Sequence, residues 1–140
     1  SEIVELVERI LTLDLLAAVA VDPAGLGELV DALDDIGVTQ EADLLIGAPQ
    51  GYAMMTAIKT AERRLAKGTL LHAGGQLMAW TVGNLKIEPT ATAIRAAKAN
   101  AGDAKIDVAM ALFNAVTVMS TNPEPKRRGS YLENDEIIVL

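Results

Sequence analysis

Residues 15–21 form an uninterrupted apolar run, Leu-Leu-Ala-Ala-Val-Ala-Val, closed by Asp22-Pro23. A run this short reads as a strand buried on both faces, and Pro23 brings no N–H with which to extend a ladder. Such a strand needs cover, and the flanking sequence supplies it. Residues 2–13 place Ile3, Leu6, Val7, Ile10 and Leu11 at helical spacing, with Glu2, Glu5, Glu8 and Arg9 opposite. Residues 26–36 repeat the pattern with Leu26, Leu29, Val30, Leu33 and Ile36, and Gly37 is placed as the stop. A second short strand is expected at 44–46, before Gly47-Ala48-Pro49. The order helix, strand, helix, strand predicts an α/β layered domain with some parallel pairing.

Further along, residues 52–67 read as a helix on which Lys59, Arg63 and Lys67 make one basic stripe. Gly74-Gly75 breaks the chain before a short helix holding Met78 and Trp80. Residues 85–88 are a third candidate strand, and 91–99 are alanine-rich with Arg95 and Lys98 expected in solvent. Residues 105–119 predict a strongly apolar helix, with Ile106, Met110, Phe113 and Thr117 on one stripe, sandwiched or pressed on a sheet. From Asn122 to Gly129 the sequence turns to proline and basic residues and reads as a linker; 136–140 are apolar again. The expected organisation is a domain over 1–120 and an extended tail over 121–140. Three short strands make a thin sheet for so many helices.

The chain has 140 residues, enough for one domain and one core. It contains no cysteine, which excludes a disulfide framework, a zinc ribbon and a thiol nucleophile, and His72 is its single histidine. The longest apolar run is far too short to cross a bilayer, and no basic segment precedes it as in a secretion signal. An aromatic content of 3% argues against a base-stacking platform. The net charge of −7 conceals an asymmetry: residues 1–50 carry eleven acids and one base, whereas 51–128 carry eleven bases and five acids. The basic half is either a surface for a polyanion or a set of ordinary solvated helix faces.

Two aspartates stand out. Asp22 closes the buried strand at the edge where α/β sheets gather ligands and catalytic groups; it is equally suited to capping the turn that follows. Asp107 opens the apolar helix among Ile106, Val108, Ala109 and Met110. It suits the helix dipole there, but burial among such neighbours is costly for an unpaired carboxylate unless a cation offsets it. Two carboxylates converging from distant segments would make a hard oxygen site suited to Mg²⁺ or Mn²⁺. Phosphate loops fail: Gly25-Leu26-Gly27 has Val30 where a third glycine belongs, and Lys67-Gly68-Thr69 lacks the upstream glycine of an ATPase loop. None of Ser1, Ser120 and Ser130 sits in a nucleophile elbow. His72 reads as a hydrogen-bonded structural group.

Three ordered segments go beyond pattern. They are Ala48-Pro49-Gln50-Gly51-Tyr52-Ala53-Met54-Met55 with Ala57-Ile58-Lys59; Leu70-Leu71-His72-Ala73-Gly74-Gly75 leading to Met78-Ala79-Trp80 and Gly83-Asn84; and Lys105-Ile106-Asp107 with Ala111-Leu112. Together, over roughly residues 16–120, they resemble the C-terminal nuclease domain of tailed-phage terminase large subunits. The resemblance implies an RNase H-like fold, here truncated to a short mixed sheet packed by helices. It implies metal-dependent hydrolysis of viral DNA during genome packaging, in a phage or prophage and so in the cytoplasm of a bacterial host, with Mg²⁺ or Mn²⁺ held at a two-metal site. Asp22 matches the family's second acid and Asp107 its last, as catalytic residues and metal ligands. Lys59, Lys86 and Lys105 are candidate contacts to DNA phosphates.

The family's first acid lies on a β-meander that has no counterpart upstream of Asp22, and Asp14, between helix and strand, is a poor substitute. The expectation is therefore a fragment without the ATPase domain and the first strands, with one ligand missing, weak or inactive in cleavage, and prone to self-associate through an open sheet edge. Double-stranded DNA is the expected partner, with the terminase small subunit and the portal in the full-length protein, the portal being one candidate contact for the tail. The alternatives are a non-catalytic α/β module that binds DNA or a packaging partner, and an unrelated small-molecule binder using the loop after Asp22.

Overall fold

A computed structural model of the chain describes residues 1–24, 27–100 and 102–125. The elements are α1 (Glu2–Thr12), β1 (Val19–Val21), α2 (Gly27–Asp34), β2 (Leu45–Gly47), a 3₁₀ turn (Gly51–Met54), α3 (Met55–Ala66), α4 (Gln76–Gly83), β3 (Leu85–Pro89), β4 (Ile94–Lys98) and α5 (Asp107–Met119). No helix among the described residues is long and apolar enough to cross a membrane.

Local chemistry sets the helix ends. The Ser1 hydroxyl caps α1 by accepting from the Val4 N–H at 3.5 Å, and Glu2 and Glu5 lie in its first turn, where the dipole favours acids. Gly37 ends α2 with φ +79°: the Val38 N–H reaches Leu33 O at 2.9 Å and the Gly37 N–H reaches Asp34 O at 2.8 Å. Gly68, φ +69°, ends α3 in the same way, with the Thr69 N–H on Arg64 O at 2.9 Å. In both places the left-handed residue satisfies carbonyls that the last turn would leave open.

β1 and β2 pair in parallel, Val19 with Leu45 and Val21 with Gly47, as the element order predicts. β3 and β4 form an antiparallel hairpin with Glu88 opposite Arg95, closed by Thr90, whose hydroxyl accepts from the Ala93 N–H at 3.0 Å. The described residues therefore hold two two-stranded sheets, one parallel and one antiparallel, rather than the single mixed sheet expected. The reason is local: the turn after Pro89 folds the alanine-rich segment back on β3, so β3 pairs with its neighbour in sequence.

β1 is also shorter than the apolar run. The Leu15 N–H bonds to Ile10 O at 3.1 Å and Asp14 turns at φ +55°, so residues 13–18 leave α1 as a loop in which Leu15 is exposed and Leu16 buried. Likewise only Val7 and Leu11 of the α1 stripe are buried; Ile3 and Leu6 lie at the surface.

Two apolar clusters result. One joins Val7, Leu11, Leu16, Val21, Leu33, Val38, Leu44 and Leu45 from the α1-to-β2 half. The other joins Met54, Ala57, Ile58, Ala61, Phe113 and Val116, with Leu85, Ile94 and Ala96 of the hairpin against it. α5 packs on α3, α4 and β1, the sandwiched position its apolarity predicts. The expected linker and tail beyond Pro125 lie outside the described residues, as do Gly25 and Leu26.

Candidate active site

Asp22 follows the last residue of β1. One carboxylate oxygen, Oδ1, accepts from the Ala24 N–H at 2.9 Å, and the residue is half-buried. The capping role is therefore real, and it also orients the carboxylate. Pro23 leans over the end of β2: a Cβ added to Gly47 would stand 3.3 Å from Pro23 Cγ, so glycine there lets the Asp22-Pro23 turn close on the neighbouring strand.

Asp107 is the first residue of α5 and is exposed. The expectation of a carboxylate stranded in an apolar environment is corrected: the first turn of α5 stands clear of the core, and the buried residues begin at Ala109. No burial cost asks for a cation at Asp107.

Two contacts set the direction of α5. Ala115, Val118 and Met119 share a small cleft with Ala17, Ala18 and Ala20, which lead into and form β1. Earlier in the helix, Asn114 Oδ1 accepts from Gln50 Nε2 at 2.9 Å, and Gln50 lies just past the carboxyl end of β2. Since β1 and β2 are parallel, α5 runs antiparallel to both. Its first residue projects roughly 10 Å of helix beyond Asn114 at ~1.5 Å per residue.

Asn84, at the C-terminus of α4, ties the hairpin to the entry of α5. Its Nδ2 donates to Lys105 O at 3.0 Å, and its own carbonyl accepts from the Ala99 N–H at 2.8 Å. The start of β3, the end of β4 and the entry to α5 meet there. Lys86 and Lys105 lie two residues on from this junction or at it, and Lys105 is two residues from Asp107. Both lysines are exposed; Lys86 Nζ is 3.4 Å from Glu88 Oε1. Lys59 is exposed on α3, aligned with Arg63 and Lys67.

Sequence reasoning missed two features. One is the Gln50–Asn114 bond, with Asn114 buried in α5. The other is a surface chain on the hairpin: Tyr52 lies under the Arg95 guanidinium, 5.3 Å from ring centroid to Cζ, and Arg95 binds Glu88 through Nη2 at 2.7 Å and Nε at 2.8 Å. That bond holds the Glu88 carboxyl below its ordinary range. Strand alternation with a Tyr before the hairpin was the available signal, obscured by the alanines of β4. His72 accepts from the Gly74 N–H at Nδ1, 3.1 Å, as a structural histidine would, although it is exposed.

As donors, Asp22 and Asp107 are the hard oxygen type that Mg²⁺ and Mn²⁺ prefer, and Mg²⁺ is commonly held by one or two carboxylates plus substrate phosphates. The described residues contain no group of three or more His, Cys, Asp or Glu able to hold a metal ion. By donor chemistry alone, two carboxylates fall short of a full two-metal cage.

Neither the curated proteins nor the solved structures compared with the chain give a match. The family model described as terminase large subunit, endonuclease domain, matches residues 1–122, and the chain belongs to that family.

Proposed function

We propose that this domain cleaves double-stranded DNA during genome packaging by metal-dependent phosphodiester hydrolysis on a reduced RNase H-like scaffold, with Asp22 and Asp107 as its acidic pair. Family membership supports the DNA-cleaving role. The residue assignment is supported by the run of α5 against β1, an arrangement in which the residue closing the strand and the residue opening the helix would face one edge. A divalent cation bound there would polarise a phosphate oxygen and lower the pKa of water. Asp22, one oxygen held by the Ala24 N–H, keeps its other oxygen for the ligand. Asp107 brings its carboxylate on a helix start. Lys86 and Lys105 hold phosphates at the α5 entry, and Lys59 extends the track along α3.

With two acids in place of three or more, binding of Mg²⁺ or Mn²⁺ by these residues is weak and cleavage slow. This same shortage favours a second reading, a non-catalytic module that binds DNA or another packaging component. The test is nicking of supercoiled plasmid with Mn²⁺ or Mg²⁺, alongside calorimetric titration of the metal. The nuclease reading expects weak metal binding that Asp22→Asn or Asp107→Asn removes, with the residual nicking. Robust metal-dependent cleavage that survives Asp107→Ala overturns the assignment; salt-dependent DNA binding that survives both substitutions without any nicking favours the second reading.

A further inference from the structure

Asp22 is oriented directly, by the Ala24 N–H on its carboxylate. Asp107 has to be oriented through the start of its helix, and α5 does little there for itself. Its N-cap, Ile106, sits at φ −127° and ψ 6° and gives no side-chain acceptor to the first turn. The described residues between Lys98 and Ile106 fall in no helix or strand, and Gly102 among them has φ +103°. An uncapped helix start at the end of an irregular connection frays unless something outside holds it. A carboxylate in that first turn meets a cation only as reliably as the turn itself is held.

Asn84 supplies the hold. Its Nδ2 donates to Lys105 O at 3.0 Å, two residues before Asp107. Its carbonyl accepts from the Ala99 N–H at 2.8 Å, one bond beyond the Leu85–Lys98 pair of the hairpin. Its own N–H reaches the Trp80 and Thr81 carbonyls at 3.2 Å each and closes α4. The connection from β4 to α5 is therefore fastened near both of its ends to one residue, which α4 fixes in turn. We propose that Asn84 is a positioning residue for Asp107: by holding the Lys105 peptide it fixes the first turn of α5, and with it the direction in which the Asp107 carboxylate meets a divalent cation. The inference rests on the reading of Asp107 as a metal ligand. Asn84 meets no cation itself and acts through the backbone at Lys105. Its amide suits that work better than it suits stability. Asn84 is only half-buried and Lys105 is exposed, so the bond between them adds little to the fold, and the bonds that close α4 and extend the hairpin use backbone atoms that any substitution keeps.

The test uses the full chain, with Mn²⁺ as the probe and the free ion read by electron paramagnetic resonance. Asn84→Ala removes the amide and keeps the backbone bonds. It weakens Mn²⁺ binding about three- to tenfold, the worth of one hydrogen bond, while the melting temperature stays within ~3 °C of the parent. In the Asp107→Asn background the same substitution changes the affinity less than about twofold, because the group it positions is gone. Parent affinity in Asn84→Ala overturns the proposal. A loss of equal size with and without the Asp107 carboxylate also overturns it, since Asn84 then acts elsewhere. A larger fall in melting temperature overturns it too, since the bond is then structural. The two readings fail distinguishably. If the parent binds no Mn²⁺, or Asp107→Asn leaves binding unchanged, the ligand assignment is wrong and the role of Asn84 falls with it. If Asp107→Asn weakens binding and Asn84→Ala does not, the ligand assignment stands and the positioning role alone is wrong.

Discussion

Gln50 and Asn114, 64 positions apart, join side chain to side chain at 2.9 Å, the Gln50 amide donating to Asn114 Oδ1 while also donating to Ala48 O at 3.1 Å. Asn114 is buried on the inner face of a largely apolar helix. A buried carbonyl oxygen without a partner costs roughly 1–3 kcal/mol, whereas replacing both partners by apolar groups of similar shape is close to neutral. Gln50→Ala should therefore destabilise the domain by about 1–2 kcal/mol in urea titration. The double variant Gln50→Met/Asn114→Leu should lose less than the sum of its single changes, with a coupling of at least ~0.5 kcal/mol. Additive losses would show that the bond is incidental.

The hairpin carries a pH-sensitive contact. The hydrogen bond and charge of Arg95 lower the pKa of Glu88 from its ordinary 4.5. A carboxylate with a depressed folded value adds stability above the ordinary value, and this is lost as pH falls through the folded one. Between pH 5 and pH 3 the melting temperature of the parent should fall more steeply than that of Glu88→Gln. The site is at the surface, so the difference should shrink in high salt. Parallel curves for the two proteins would rule out the linkage.

The legibility of these features follows their range in sequence. Gly37 and Gly68 were readable as stops because a left-handed residue after an amphipathic run is a local requirement. The parallel β1–β2 pair followed from helix, strand, helix, strand order. Residues 15–18 were not readable as a loop: composition is the same for a buried strand and for a loop carrying one buried leucine, and the deciding bond runs from Leu15 back to Ile10. β4 was hidden because Ala96 and Ala97 have little strand preference of their own; pairing with Ile87 and Lys86 imposes the extended form. Asp22 and Asp107 stood out as candidates from position and resemblance, whereas the direction of α5 rests on Gln50 and on the cleft at Ala17, Ala18 and Ala20, which no local pattern announces.

Gly37 gives a test of the local rule. Its φ of +79° leaves open space around an added Cβ, so only backbone strain opposes a side chain. Gly37→Ala should cost ~1–2 kcal/mol, the penalty of the left-handed region. Gly37→Asn should cost less, because asparagine tolerates that region. Thermal melting of both variants checks the order, and equal losses would point to packing around Val38 instead of to φ.

The three lysines should differ in what they give to DNA. Each phosphate neutralised releases counterions, and loss of one contact lowers the slope of log affinity against log salt by roughly 0.9. Lys86 already has Glu88 at 3.4 Å, and Arg95 also draws on that carboxylate. Its charge is partly offset before DNA arrives. Lys59→Ala and Lys105→Ala should each reduce the slope by nearly one unit, and Lys86→Ala by less. Glu88→Gln should strengthen binding by releasing Lys86 and Arg95 together. Fluorescence anisotropy on a duplex at several salt concentrations reads all four. If Lys105→Ala and Lys59→Ala leave the slope unchanged while Lys86→Ala lowers it, the DNA track follows the hairpin and not the entry to α5.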